Sequence, residues 1–172
     1  MTTTEETTSP DSKRKLPDGW GWVRLGQVCE INPRRPTSLQ RSDDAPTTFV
    51  PMSAIDERLG RIAQAELRPF AEIRKGYTYF EEGDVLFAKI TPCMQNGKHA
   101  IAHALIGGIG FGTTEFHVLR PGPEITSVWA HRYLRQSTVL EAATASFSGT
   151  AGQQRVPESY LAKLELPLPP LA

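Results

Sequence analysis

Ser148-Gly-Thr-Ala-Gly-Gln-Gln-Arg-Val156 is a run of small residues that ends in two amides and a guanidinium. Those are the groups that meet base edges in pairs of hydrogen bonds, and glycine lets backbone approach a polyanion closely. Thr150, Gln153, Gln154 and Arg155 are therefore candidate contacts to nucleic acid. A solvated linker between two helices is the plainer reading, although Gln-Gln-Arg is an unusual choice for one. A second polar loop leaves the end of a strongly patterned strand and offers Lys89, Thr91, Gln95, Asn96 and Lys98. A rigid strand that delivers amides and ammonium groups to a loop tip suits the reading of bases and phosphates. Taken alone, an ordinary hairpin-like connection turning at Asn96-Gly97 explains it better. Thr113 and Thr114, in Gly112-Thr-Thr-Glu115, are hydroxyl candidates that could equally end a strand. Arg34, Arg35 and Arg41 form a weaker basic group, as well explained by a solvated surface as by a phosphate clamp.

Other chemistries find no support. His99, His103, His117 and His131 form no HExxH pattern and no Cys/His cluster of metal spacing. His117 lies in a strand pattern, where a structural role is the usual one. Gly107-Gly-Ile-Gly-Phe-Gly112 lacks the register of a dinucleotide loop and reads as a turn. There is no phosphate-binding GxxxxGK[ST] run. Asp84 and Lys89 bring to mind a nuclease, but Phe87 stands where the second acid is needed. No catalytic residue, metal or cofactor is expected.

The composition sets bounds. At 172 residues, with 39% apolar and 22% charged content, the chain resembles an ordinary globular domain. Its 19 basic and 19 acidic residues cancel, so DNA binding driven by bulk charge is excluded and any such contact must be local. The balance also argues against a DNA mimic, which needs a large acidic excess. Apolar runs fall short of the roughly 18 residues that span a bilayer, and Met1 to Lys15 holds no secretory h-region. Cys29 and Cys93 lack metal spacing and read as reduced packing thiols. The expected location is the cytoplasm, with no membrane partner.

The elements that would position these loops can be read from periodicity. Residues 1–15 are expected to be a disordered tail, followed by one domain over residues 16–172. Trp20 and Trp22 alternate as in a strand, and Arg24 to Glu30 permits one helical turn. Phe49–Ile55 reads as a strand, placed at an edge or bulge by Pro51. Leu67–Lys75 reads as a short helix ending before Gly76. Tyr77–Phe80 and Asp84–Ile90 are strands, the second with Val85 and Phe87 on one face and Leu86 and Ala88 on the other. Ala100–Leu105 and Gly112–Leu119 read as further strands about a Gly107–Gly110 turn. Helical spacing begins after Pro123 with Ile125, Val128, Trp129 and Tyr133. A second helix is expected over Ser137–Phe147, opened by a Thr138–Glu141 capping box. A third is expected over Glu158–Lys163, with Pro157 in its first turn, before a last extended segment. The fold class is α+β: short helices packed on a twisted, mixed or mostly antiparallel β-sheet.

At this point the residues resemble a family, the target recognition domains of type I restriction–modification specificity subunits. The resemblance rests on Leu16-Pro-x-Gly-Trp-x-Trp-Val-x-Leu-Gly-x-Val28, Phe80-x-x-Gly-Asp-Val-Leu-Phe-Ala-Lys-Ile90 and Thr113-Thr-Glu-Phe-x-Val-Leu-Arg-Pro121. It continues through Gly149-Thr-Ala-Gly-Gln-Gln-Arg-Val-Pro157 and Leu164-x-Leu-Pro-Leu-Pro-Pro170. Each motif is soft alone; five in order are specific. The resemblance implies a DNA methylase specificity domain-like fold without catalytic residues, reading one half of a split double-stranded DNA target. It implies modification subunits that bind S-adenosylmethionine and methylate adenine, and restriction subunits that use ATP. It also implies a spacer helix after Pro169-Pro170, which this sequence does not contain, and loops near DNA after Lys89 and at Gly149–Arg155. A fragment of a single-chain methyltransferase and a protein-only interaction module are the competing classes.

Overall fold

The structure, a computed structural model, describes residues 14–171, so nearly all of the expected tail lies outside the described residues. From Trp20 the chain runs through β1 (Gly21–Arg24), the one-turn helix α1 (Leu25–Val28) and β2 (Cys29–Ile31). Leu25 and Val28 are the buried face of that turn. The strands β3 (Pro46–Val50), β4 (Ile55–Asp56), β5 (Arg61–Ile62) and β6 (Glu66–Pro69) follow, then a single turn α2 (Phe70–Ile73). Next come β7 (Thr78–Glu81), β8 (Val85–Ala88), β9 (His99–Ile101), β10 (Ile109–Gly112) and β11 (Phe116–Pro121). The helices α3 (Ser127–Leu134), α4 (Ser137–Thr144) and α5 (Glu158–Lys163) precede β12 (Glu165–Leu168).

Two four-stranded sheets, ordered β6-β3-β10-β7 and β2-β11-β8-β9, are accompanied by the two-stranded ribbons β1-β12 and β4-β5. β3 and β10 run parallel while their neighbours pair antiparallel, so the mixed, mostly antiparallel α+β class is observed. A Cβ on Gly112 would lie 2.7 Å from Val50 O, so the close approach of β10 to β3 requires glycine there. β8 is buried on both faces. Val85 and Phe87 enter the core beneath the helices, with Leu134, Leu140 and Leu161. Leu86 and Ala88 enter a second core with Phe80 and Phe116. The alternation expected for this strand is thus observed, with apolar partners on each side. The proline-rich end pairs with the tryptophan segment, Trp22 opposite Pro167. Trp129 Nε1 donates to Pro167 O at 2.8 Å and ties that ribbon to α3.

Several local expectations need correction. Residues 66–69 are strand rather than helix, because Pro69 biases Arg68 to extended backbone and Thr47 and Thr48 lie opposite Arg68 and Leu67; only Phe70–Ile73 is helical. The strand expected over Phe49–Ile55 instead starts at Pro46 and stops at Val50. Pro51 lacks the N–H a ladder needs, and its carbonyl closes a 3-10 turn over Met52–Ala54. β3 is moreover an inner strand, not an edge. Strand structure ends at Ile101 rather than Leu105, where Ala104 takes φ 58°. Ile109 and Gly110 belong to β10 instead of a turn. The strand expected over Gly112–Leu119 breaks at Thr113–Glu115, where the chain passes from one sheet to the other. α4 ends at Thr144, and Thr138 lies inside it, so no Thr138–Glu141 capping box forms. The helix cap occurs earlier, where Thr126 accepts from Trp129 N at 3.1 Å. Glu158–Lys163 is helical as expected, although Pro157 is its cap residue rather than part of its first turn.

Candidate nucleic-acid interface

The Ser148–Val156 loop is stitched to the end of β8. Ser148 and Arg155 exchange backbone hydrogen bonds of 3.1 and 2.9 Å, which closes the loop at its neck. Val156 N then donates to Lys89 O at 2.9 Å, and Thr91 N donates to Gln154 O at 3.0 Å. Gly149 sits at φ +116°, and a Cβ there would meet Gln153 O at 2.9 Å, so the tight return needs glycine. The Arg155 guanidinium is held internally: Nη2 and Nε donate to the two oxygens of Glu115 at 2.7 and 2.9 Å, and Nη1 donates to Gln153 O at 3.0 Å. These bonds hold the Glu115 carboxyl below its ordinary pKa. Lys89 N donates to Glu115 O at 2.9 Å, and Thr113 Oγ1 accepts from Glu115 N at 3.2 Å. Lys89, Thr91, Thr113, Thr114, Gln154 and Arg155 are thereby gathered at one end of the sheet, with Thr150 and Gln153 on the exposed part of the loop.

Next to this junction lies an open hollow of about 360 Å³ that includes Arg34, Arg35, Lys89, Thr114 and Tyr77 in its lining. Its anchor is Asn32, which the sequence did not single out. Asn32 adopts φ 53°, a left-handed conformation that asparagine tolerates. Its Oδ1 accepts from Val118 N at 2.9 Å, and its Nδ2 reaches Glu158 Oε2 at 3.1 Å. The same amide donates to His117 Nδ1 at 3.1 Å, while His117 Nε2 donates to Val156 O at 2.7 Å. Those two bonds define a neutral tautomer, and burial lowers the His117 pKa in the same sense. His117 is structural, as its strand position suggested.

The Arg34, Arg35 and Arg41 group is not a unit. Arg41 donates to Thr47 Oγ1 and Ile106 O at 3.1 and 3.0 Å. Arg35 Nη1 donates to Arg74 O at 2.7 Å. Arg34 is exposed, and no described residue pairs with its side chain.

The loop after Thr91 divides the remaining candidates. β8 and β9 are antiparallel partners, so the hairpin-like connection is correct, with Gly97 at φ +80°. Gln95 and Asn96 line a different hollow, of about 310 Å³, together with Arg135, Leu140, Glu141 and Thr144. Arg135 is engaged, donating to Glu57 O at 2.7 Å and Gly97 O at 3.4 Å. Beneath it His99 accepts from Ala88 N at 3.0 Å and donates through Nε2 to Met94 O at 3.0 Å. Its ring stacks on Phe87 with centroids 4.1 Å apart, and burial pushes its pKa down to about 3. Lys98 is half-buried and lines neither hollow. Among the described residues no cluster of three or more His, Cys, Asp or Glu could hold a metal, and no helix is long and apolar enough to cross a membrane.

A match to known proteins covers almost all of this architecture. The model of the type I restriction modification DNA specificity domain family matches residues 17–172. The chain is 38% identical over 157 residues to the specificity subunit of the type I restriction enzyme EcoEI from Escherichia coli. It is 38% identical over 161 residues to the specificity subunit of EcoAI from the same organism. Each alignment takes in 91% of this chain and 26% of the relative, so the chain spans about a quarter of their length. Among solved structures, the HsdS subunit from Thermoanaerobacter tengcongensis superposes with a TM-score of 0.73 at 28% identity, covering 92% of this chain and 40% of that one. A chain from a study of complex assembly and conformational transition in the type I R-M system gives the same TM-score of 0.73 and 28% identity, over 91% of this chain and 39% of that one. The chain belongs to the type I restriction modification DNA specificity domain family.

Proposed function

We propose that the chain is a non-catalytic module that reads one half of a bipartite double-stranded DNA target. In doing so it directs the modification and restriction subunits of a type I restriction–modification system, in the cytoplasm. The observation that carries this reading is the family match over residues 17–172. The gathering of Lys89, Thr91, Thr114, Gln154 and Arg155 at one end of the sheet supports it. The side-chain amides of Gln153 and Gln154 have no partner among the described residues and are the base-reading candidates of that end. A bidentate amide contact discriminates against a wrong base by about 1–3 kcal/mol. Arg155 acts through Glu115 as a positioning residue that sets the loop carrying those amides. Methylome sequencing of the source organism with and without this gene tests the proposal. Loss of one bipartite methylated-adenine motif is the expected result, and an unchanged methylome would refute it.

A further inference from the structure

We infer that the hollow beneath Arg34 and Lys89 grips the DNA backbone, with each of these two cations on a phosphate and the Thr114 hydroxyl donating beside them. This rests on the recognition reading above and names the surface that supplies its charge. The chain as a whole carries as many acids as bases, yet Arg34, Arg35 and Lys89 line this hollow with no carboxylate among the lining residues. A neutral protein that binds a polyanion must concentrate its cations in this manner.

Their donors are also available. Arg41, Arg120, Arg135 and Arg155 all donate to protein oxygens. The side chains of Arg34 and Lys89 have no hydrogen-bond or close ion-pair partner among the described residues; Lys89 feels the charge of Glu115, whose two oxygens are taken by Arg155. Both are nevertheless held by rigid backbone. Lys89 N and O are bonded to Glu115 O and Val156 N at 2.9 Å each. Arg34 follows the Asn32 anchor and buried Pro33, and Arg35 is tied to Arg74 O at 2.7 Å. Tyr77, edge-on to Phe49 at 4.8 Å between ring centroids, adds a fixed and exposed aromatic wall suited to a sugar face. Positioned cations without internal partners, beside a hydroxyl and a fixed ring, are what a phosphate–sugar chain requires.

The test uses the assembled complex of the full-length specificity subunit with its modification subunits. Binding of a target duplex and a scrambled duplex is followed by fluorescence anisotropy between 50 and 200 mM salt, a range over which phosphate contacts change affinity by about 10³-fold or more for six or more contacts. Arg34→Gln and Lys89→Gln should each weaken both duplexes by similar factors and reduce the slope of log affinity against log salt by about 0.9. Arg34→Lys and Lys89→Arg should retain the slope. Wild-type slopes in both Gln variants would overturn the assignment while target preference, still present, upheld the recognition reading. Loss of preference without a change in slope would also overturn it, since the hollow would then read bases. A wild-type complex that binds the two duplexes equally would instead refute the recognition reading itself.

Discussion

The hollow under Arg34 and the hollow under Gln95 differ little in volume, about 360 against 310 Å³. Each also hangs on a buried, neutral histidine whose two ring nitrogens are bonded: His117 between Asn32 and Val156, His99 between Ala88 and Met94. Their chemistry is nonetheless opposite. One presents two cations, Arg34 and Lys89, whose side-chain donors no described residue accepts, beside Arg35 tied to Arg74 O. In the other the single lining cation, Arg135, is bound to backbone carbonyls, and Glu141 lines the same hollow. Residue type alone therefore does not mark an anion site. What marks it is whether the donors are already engaged, because a guanidinium satisfied by carbonyls offers a ligand far less.

The sharpest way to break this comparison is to remove a histidine. His99→Ala should lose about 3 kcal/mol, because it opens a cavity beside Phe87 and leaves Ala88 N unpaired in the core. Urea denaturation measures the loss. Hydrogen exchange should rise in residues 90–98 and stay low at residues 32–35; an equal rise in both would show that the hollows are not hinged separately.

Acid is the next largest perturbation. The folded-state pKa of His99 is depressed to about 3 by burial, so on acidification the unfolded chain takes up that proton first. Stability is full above about pH 6.5 and declines below it, by about 2 kcal/mol between pH 7 and 5 from this one group. His99→Gln, which can keep both hydrogen bonds, should flatten that part of the slope in melts at the two pH values.

Asn32→Gly sharpens the comparison from the other side. Glycine accepts the positive φ, so the variant isolates the amide's bonds to Val118 N, His117 and Glu158. A loss of about 1–2 kcal/mol is expected, with salt-dependent DNA binding reduced and the residues around Gln95 unmoved.

The smallest effect should come from Glu115→Gln, which removes the charge facing Arg155. Backbone exchange in residues 149–154 should quicken several-fold with no shift in the global melting temperature, since surface ion pairs add little. The Glu115 carboxyl is held below its ordinary pKa. Its contribution is accordingly present at neutral pH and disappears as pH falls through the carboxylate range, which exchange at low pH would reproduce in the wild type.

How much was legible follows from which interactions are local. β8 was readable because its apolar residues alternate and both faces meet core. The short helices α1 and α5 were readable from small local spacing and from Pro157. Residues 66–69 were misread because Leu67 and Arg68 suit a helix turn as well as a strand, and only their pairing with Thr48 and Thr47 decides. The break at Thr113–Glu115 was missed for the same reason: the two strands it separates belong to different sheets. Within the candidate site, the polar loops were visible as composition. Asn32 was not, since its role depends on His117, Val118 and Glu158, which lie far along the chain.

The sequence by itself determined the α+β class, the absence of a catalytic or metal motif and the family, because five ordered motifs and local patterning survive without coordinates. It also determined that any polyanion contact had to be local, because total charge is a sum over residues. Only the tertiary structure decided where that locality lies. It drew Arg41 and Arg155 into internal bonds and placed Gln95 and Asn96 in one hollow with Glu141. It also left Arg34 beside Lys89 without an acid in the same hollow. Arg41 bonds Ile106 and Arg155 bonds Glu115, partners 40 or more residues away, and no spacing rule along the chain encodes such contacts.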